Sequence, residues 1–445
     1  NNLLFSLTNK TKKHGIMKIK GLRWWIIVLI FIATVINYID RTAFALLWPE
    51  MGKDLGMDKA DYAFMFNIFL AAYAIGKFAS GKLYDQIGTR LGFTVSIIIW
   101  SVASVLHAFA GGIVSLYIFR GALGLGEAGN WPGAVKSNGE WFPVKERAIA
   151  QGIFNAGASI GNVIAPFIIV FLYAQFGWKT TYIILGAIGL LWVIPWLFLN
   201  KSTPEKHPWV TDEERKLILS DRIEEEDTGV ERKSLSVGAI LSYKQSWGIL
   251  LCRFFIEPIW WFFAAWMPIY LNNKFGLSIE EIANTMWISY LMAAVGSIAG
   301  GMVCGELMKK YSVDISRKAT IIFGAILILA GFVGIITLVG QDNFMTFIYL
   351  AGLALFGFQF AIGNIQTLSS DMFSGPSVGT LAGMAGTVAA VSPMIMNWFV
   401  GKITTNSYTP AFIAICIAVV LGVLSVLILI KRIEPVKKYI HNTKK

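Results

Sequence analysis

Runs of about 20 predominantly apolar residues, the length an α-helix needs to cross a bilayer, recur along this chain from one end to the other. Twelve are read, at roughly 22–48, 61–81, 91–110, 113–135, 148–174, 180–200, 247–271, 281–308, 319–339, 344–368, 378–401 and 410–430. The composition agrees. Hydrophobic residues make up 56% of the chain, charged residues 15%, and the mean hydropathy is +0.61, whereas soluble domains carry roughly 25% charged residues. A soluble chain this apolar could not cover its own surface, so the expected fold class is an all-α membrane protein.

The longest polar stretch between spans runs from Lys201 to Ser246 and divides the chain into six spans plus six. The expected organisation is a short segment 1–21, a six-helix bundle 22–200, a central loop 201–246, a second six-helix bundle 247–430 and a tail 431–445. The first apolar run is long enough to span and has no small-residue cleavage site, so it reads as a helix rather than a cleaved leader. Met17, directly before Lys18-Ile19-Lys20-Gly21, reads as the natural start, and residues 1–16 as upstream read-through or an incomplete start.

The formal net charge of +11 invites a nucleic-acid reading. Its distribution removes the need for one. Of 38 Lys and Arg, 29 fall on alternate connecting segments and both termini, and only Lys53, Lys59, Lys179, Lys274 and Lys402 lie on the opposite side. Such a bias places the rich side in the cytoplasm, so both termini are expected inside. Cys252, Cys304 and Cys416 all sit in apolar stretches, which argues against a disulfide framework or a thiolate metal site.

Four basic residues remain within spans: Arg41, Lys77, Arg120 and Arg253. A charge at the bilayer centre costs about 2.5–3.5 kcal/mol on insertion scales, so retained ones are functional candidates. Span one carries Asn37-Tyr38-Ile39-Asp40-Arg41, and span four carries Arg120 and Glu127, seven apart on one helix face. At 1.5 Å per residue, Arg41 and Arg120 each lie about 10 Å from an outer helix end and Glu127 about 10 Å deeper, with Tyr73 of span two at a similar level. Two guanidiniums at one level can clamp a carboxylate, because Arg offers planar bidentate donors. Burial disfavours a charged carboxylate, so Asp40 and Glu127 are candidates to carry protons. The competing reading is a structural network in which Asp40 pairs with one Arg and Glu127 with the other.

In the second half Glu257 lies about 15 Å into span seven by the same rise, followed by Pro258, which frees backbone groups. Trp261, near Trp260 and Trp266, offers an aromatic face suited to the C–H side of a sugar ring. Gln359, Asn364 and Gln366 on span ten supply amides that serve equally as interhelical glue. Lys77, near the inner end of span two, reads as a snorkelling side chain. His107 reads as a packed histidine.

Between spans two and three stands Gly81-Lys82-Leu83-Tyr84-Asp85-Gln86-Ile87-Gly88-Thr89-Arg90, echoed after span eight by Gly301, Gly305, Glu306, Lys309, Lys310 and Arg317. Gly81, Asp85, Gly88 and Arg90 therefore form a candidate conformational latch, the glycines allowing close helix approach and the acid pairing with bases across helix ends. Two other matches are decoys. Gly76-Lys77-Phe78-Ala79-Ser80-Gly81-Lys82 has Leu83 where a P-loop needs Ser or Thr, and Gly124-Leu125-Gly126-Glu127-Ala128-Gly129 sits inside a span with no strand before it.

The latch loop resembles the signature loop of the major facilitator superfamily, with Gln86 and Thr89 departing from its pattern. The Asp40-Arg41 pair, the Arg120…Glu127-Ala128 helix, the run Glu140-Trp141-Phe142-Pro143-Val144-Lys145-Glu146-Arg147-Ala148 and His207-Pro208-Trp209-Val210-Thr211-Asp212-Glu213-Glu214-Arg215 resemble the anion:cation symporters of that superfamily. Lys18–Trp24, Arg253–Pro258 and Thr367–Asp371 are most similar to its bacterial hexuronate transporters. The resemblance covers about residues 17–435. It implies a proton-coupled symporter of a sugar acid in a bacterial inner membrane, with Arg41 and Arg120 binding the substrate carboxylate and Asp40 and Glu127 carrying the coupling proton. It implies no enzymatic activity and no cofactor, the drive being an ion gradient, and a chain acting as a monomer with a small organic anion, H⁺ and the lipid bilayer as its partners. The alternatives are a carrier of an aldonate, aldarate or dicarboxylate, and a non-transporting membrane sensor.

Overall fold

The computed structural model describes residues 18–57, 59–220, 235–277, 279–340, 343–373, 377–403 and 408–436. Fourteen helices are named here: α1 Leu22–Asp54, α2 Lys59–His107, α3 Ile113–Glu127, α4 Asn130–Trp141, α5 Arg147–Leu199, α6 Asp212–Leu219, α7 Val237–Leu241, α8 Lys244–Ile256, α9 Pro258–Phe275, α10 Ile279–Leu307, α11 Val313–Leu338, α12 Phe344–Met372, α13 Val378–Ile403 and α14 Thr409–Leu429. Nine helices among the described residues are long and apolar enough to cross a membrane.

Two of these are too long for one crossing, and each is interrupted by a single glycine. Gly88 in α2 (φ 78°, ψ 168°) and Gly177 in α5 (φ 72°, ψ 170°) adopt a left-handed φ that side chains with a Cβ resist. The opposite case is the junction of α3 and α4, where Ala128 and Gly129 keep helical dihedrals and the path runs on. Likewise α8 continues into α9 through Glu257, whose dihedrals are helical, with Pro258 at the first position of α9 where a missing N–H is tolerated.

The distribution of side chains inverts that of a soluble protein. Phe167, Phe171, Ile118 and Ile428 face outward, while Asp40, Arg120, Glu127 and Lys77 are buried. Core residues gather in separate bodies. Among the described residues, two apolar clusters are drawn from residues 22–218, one of them with Ala390 of α13, a third from residues 240–433 with Val135 of α4, and a small fourth joins Ala148 to Cys304 and Met308 across the halves.

The central-loop motif has a structural role. Thr211 caps α6 by accepting from the Glu214 N–H, and the Glu214 carboxylate in turn accepts from the N–H groups of Gly21, Leu22 and Arg23, capping α1. Arg23 then bridges Glu214 (2.8 Å) and Glu146 (2.8 Å). Ile19 N–H donates to Trp209 O at 2.8 Å, so the loop after α5 is stitched beneath the start of α1. This end of the bundle is called the connector end below.

Candidate functional site

Arg41 on α1 donates to Glu127 on α3 through Nε (3.1 Å) and Nη2 (2.8 Å), with Nη2 also 3.3 Å from Asn37 Oδ1. Its guanidinium carbon stands 4.8 Å from the ring centroids of Tyr38 and Tyr73. Arg120, also on α3, is fully buried, and its Nε and Nη1 have no hydrogen-bond partner. It rests against Phe44 (4.0 Å) and Phe69 (4.7 Å), and Phe69 lies 5.4 Å from Arg41, so one ring is flanked by both guanidiniums.

Asp40 does not pair with Arg120. Its Oδ1 accepts from Ser104 at 3.1 Å and its Oδ2 is buried without a partner, as is Glu127 Oε1. Of the structural network expected from sequence, only the Arg41–Glu127 arm exists. An unpaired guanidinium and two half-satisfied acids, all desolvated, are costly unless something else completes them.

From the other half, Arg253 and Glu257 approach to 2.9 Å, one helical turn apart, yet Arg253 Nη1 and Glu257 Oε2 are not aligned for a hydrogen bond. Glu257 is within electrostatic reach of Tyr38 and Lys77. Lys77 does not snorkel. It is 4% exposed, with Nζ 4.6 Å from the Tyr73 ring and 6.0 Å from the Trp131 ring.

Not every residue singled out from sequence meets this cluster. Trp261 is half-buried and packs on the second-half core, while Trp260 stacks on Phe358 at 6.0 Å. Gln359 is buried with its Oε1 unpartnered. Asn364 is spent elsewhere: its oxygen accepts from Arg317 at 3.1 Å and its amide donates to Gly300 O and Phe360 O, both at 3.3 Å. Such an amide has little left for a ligand in this arrangement. Gln366 accepts from Gln151 at 2.7 Å and is glue between the halves. His107 stacks on Tyr182 and reaches Ala103 O with Nδ1 at 2.7 Å.

At the latch, Asp85 pairs with one base across helix ends, Lys136, and is held mainly by groups of the other half. Asp85 accepts from Gly379 N (3.0 Å), Thr380 N (2.6 Å) and Thr380 Oγ1 (2.6 Å), and its Oδ1 lies 2.7 Å from Lys136 Nζ. The carboxylate of the first half thus caps α13 of the second, where the helix dipole favours an anion. Gly81 makes this approach possible, because a Cβ there would meet Gly379 O and stand 2.9 Å from Gly383 Cα. Gly88 makes the turn, and Arg90 is not among the partners of Asp85; its carbonyl accepts from Trp196 Nε1 at 3.0 Å.

The echo after span eight behaves otherwise. Glu306 pairs with Lys309 on the exposed surface. Instead, Asp371 at the end of α12 takes Arg147 of the first half (3.1 Å) and Arg317 of the second (2.9 Å). Arg147 also donates to Ser370 O at 2.8 Å, and Arg317 to Val144 O at 3.2 Å. Sequence reasoning noted these residues as motif members without pairing them; a buried acid with basic partners on two separate helices leaves no short-range signal. Described contacts that join the halves include those at the connector end, the bond from Thr387 to Ala74 O and the packing of Ala390 on the first-half core.

Long apolar helices that present Phe and Ile outward and bury charge between them define an integral membrane protein. The chain belongs to the major facilitator superfamily, whose model matches residues 30–396. It is similar to the hexuronate transporter of Escherichia coli (strain K12), 34% identical over 411 residues, 92% of this chain and 94% of that relative. It is also similar to the galacturonate transporter of Dickeya chrysanthemi, 36% identical over 323 residues, 72% of this chain and 93% of the relative. The probable galactarate/D-glucarate transporter of Escherichia coli (strain K12) is 29% identical over 439 residues, covering 93% and 95%.

Proposed function

We propose that the protein is a proton-coupled symporter of a sugar acid, a hexuronate such as glucuronate or galacturonate, working by alternating access. The observation that carries this reading is the Arg41–Glu127 pair beside the unpartnered Arg120. While Glu127 is ionised it occupies Arg41. Once it takes a proton it no longer competes, and Arg41 and Arg120 together can receive a substrate carboxylate. Asp40, with one free oxygen, is a second proton acceptor.

Counting the glycine-interrupted α2 and α5 twice, joining α3 with α4 and α8 with α9, and leaving out the short α6 and α7 supports the twelve-span reading. The two six-helix bundles, 22–200 and 247–430, rock about the site in the manner of repeat-based transporters. With the termini inside, as the distribution of Lys and Arg suggests, the ion pairs and hydrogen bonds at the connector end support a state closed toward the cytoplasm. Protonation and capture would occur from outside, the halves would then rock, and the site would open inward, where the acids lose their protons and the substrate leaves. A substrate of charge −1 entering with one proton moves no net charge. The protein needs no cofactor in this scheme and works as a monomer.

A second reading, transport of an aldarate or other dicarboxylate, is favoured by the similarity to the galactarate/D-glucarate relatives. Uptake of labelled glucuronate and galacturonate into proteoliposomes under an inward proton gradient, with galactarate and galactonate as competitors, tests both. Accumulation abolished by a protonophore supports hexuronate symport. Exclusive competition by the dicarboxylate favours the second reading, and absence of flux and of binding overturns both.

A further inference from the structure

Among the described residues, Lys77 is a charge within a span with no ion pair to an acid and no hydrogen bond to a carbonyl. Its ammonium has ring faces as its close neighbours, Tyr73 at 4.6 Å and Trp131 at 6.0 Å, although the residue is 4% exposed. Four cations lie within spans, Arg41, Lys77, Arg120 and Arg253, against three acids, Asp40, Glu127 and Glu257. Arg41 has Glu127 and Arg253 has Glu257. Arg120 and Lys77 therefore share the excess of positive charge. A buried cation held by aromatic faces alone is under-compensated, since a cation–π contact is weaker than a paired carboxylate or a set of hydrogen bonds.

The placement of Lys77 is also directional. The Tyr73 ring has Arg41 4.8 Å from its centroid and Lys77 4.6 Å from it. The separation of the two cations cannot exceed the sum of those distances, a span that a six-carbon acid bridges end to end. The stem of Lys77 runs against α13 of the other half, where a Cβ at Gly386 would stand 3.0 Å from Lys77 Cδ. Glu257 and Arg253 of the second half lie within its electrostatic reach.

We propose that Lys77, resting on Tyr73 and Trp131, is a specificity-determining residue that receives the oxygen-rich end of the substrate distal to the carboxylate held by Arg41 and Arg120. This rests on the sugar-acid reading above. The ammonium donates to hydroxyl or ring oxygens, or to a second carboxylate, and the misaligned Arg253–Glu257 pair supplies further donors and acceptors from the opposite half. A short acid that reaches only the two guanidiniums would not engage Lys77.

The test compares D-galacturonate with glycolate, which has a carboxylate and a single hydroxyl, in equilibrium binding to the full-length protein in detergent, for wild type, Lys77→Met and Lys77→Arg. The expected result is a 10- to 100-fold weaker Kd for galacturonate in Lys77→Met, the loss expected for a charge-assisted hydrogen bond. Glycolate should change less than about threefold, as expected when the deleted group is not a contact. Lys77→Arg should restore part of the galacturonate affinity, and the ligand-free melting temperature of Lys77→Met should not fall. Equal weakening of both acids, or unchanged galacturonate binding, overturns the proposal and leaves Lys77 a packing residue. A wild-type protein that binds neither acid overturns the sugar-acid reading itself, and this proposal with it.

Discussion

Glu127 gives one carboxylate oxygen to Arg41 at 2.8 Å and keeps the other buried without a partner. The pair is therefore tight but incomplete. Arg120, seven residues from Glu127 on the same helix, is buried with two nitrogens unsatisfied, the feature on which the proposed carboxylate clamp rests.

Replacing Glu127 with Gln removes the titrating group and leaves an amide of the same shape. Arg41 would then be permanently available. Substrate exchange across the membrane should persist, while accumulation driven by an inward proton gradient should collapse to equilibration. Counterflow and gradient-driven uptake in the same proteoliposomes separate the two activities. Accumulation equal to wild type would remove Glu127 from coupling.

Arg120→Met should separate binding from stability. Ligand affinity should weaken roughly 10- to 100-fold, matching the ~1.5–3 kcal/mol of a hydrogen bond to a charged group. The ligand-free protein should melt no lower than wild type, because an unpaired buried cation is replaced by an apolar side chain of similar length. A lower melting point with unchanged affinity would make Arg120 structural.

At the connector end the prediction concerns populations. Asp371 serves Arg147 and Arg317 together, and removing one partner of a buried pair costs about 3–5 kcal/mol. Asp371→Asn and Asp85→Asn should shift the equilibrium away from closure at that end, by about tenfold for each ~1.4 kcal/mol lost. Cysteine accessibility near Gln151 should rise in both variants. Glu306→Gln, which breaks only an exposed pair, should leave accessibility and uptake unchanged.

His207 in the central loop predicts a pH dependence outside the membrane. Burial, with Lys201 and Arg215 nearby, holds its imidazole below the ordinary histidine value. Its Nδ1 accepts from Trp209 N–H at 3.2 Å, which a second ring proton would oppose. The folded loop therefore favours the neutral ring, whereas the unfolded loop takes up a proton as pH falls through about 6.5. Docking of residues 200–219 should be fully supported above that pH and weaken progressively below it. Limited trypsin cleavage in this loop should accelerate between pH 7.5 and 5.5 in wild type, and less so in His207→Gln.

Much of this was readable from the chain itself. The twelve apolar runs, the bias of Lys and Arg and the charges left inside spans are one-dimensional properties, because the bilayer imposes a length and a polarity on every segment that enters it. Arg41, Arg120, Asp40 and Glu127 could be selected for the same reason: charge at that depth is expensive. Even the depth of Glu127 relative to Arg120 follows from helical rise alone.

The partners of those residues could not be read that way. Which guanidinium holds Glu127, that Asp40 turns to Ser104, that Asp85 caps α13 and that Asn364 is spent on Arg317 all depend on how helices far apart in sequence rotate and slide against one another. Lys77 shows the difference most clearly. Its position near a helix end suggested a side chain reaching for water, but the packing of α2 against α13 turns it inward beneath Tyr73 and Trp131. The sequence by itself determined what crosses the membrane and which charges must be accounted for there. Tertiary structure decided which charges neutralise one another and which are left without a partner, because pairing needs approach within a few ångströms and only the packed helices set those distances.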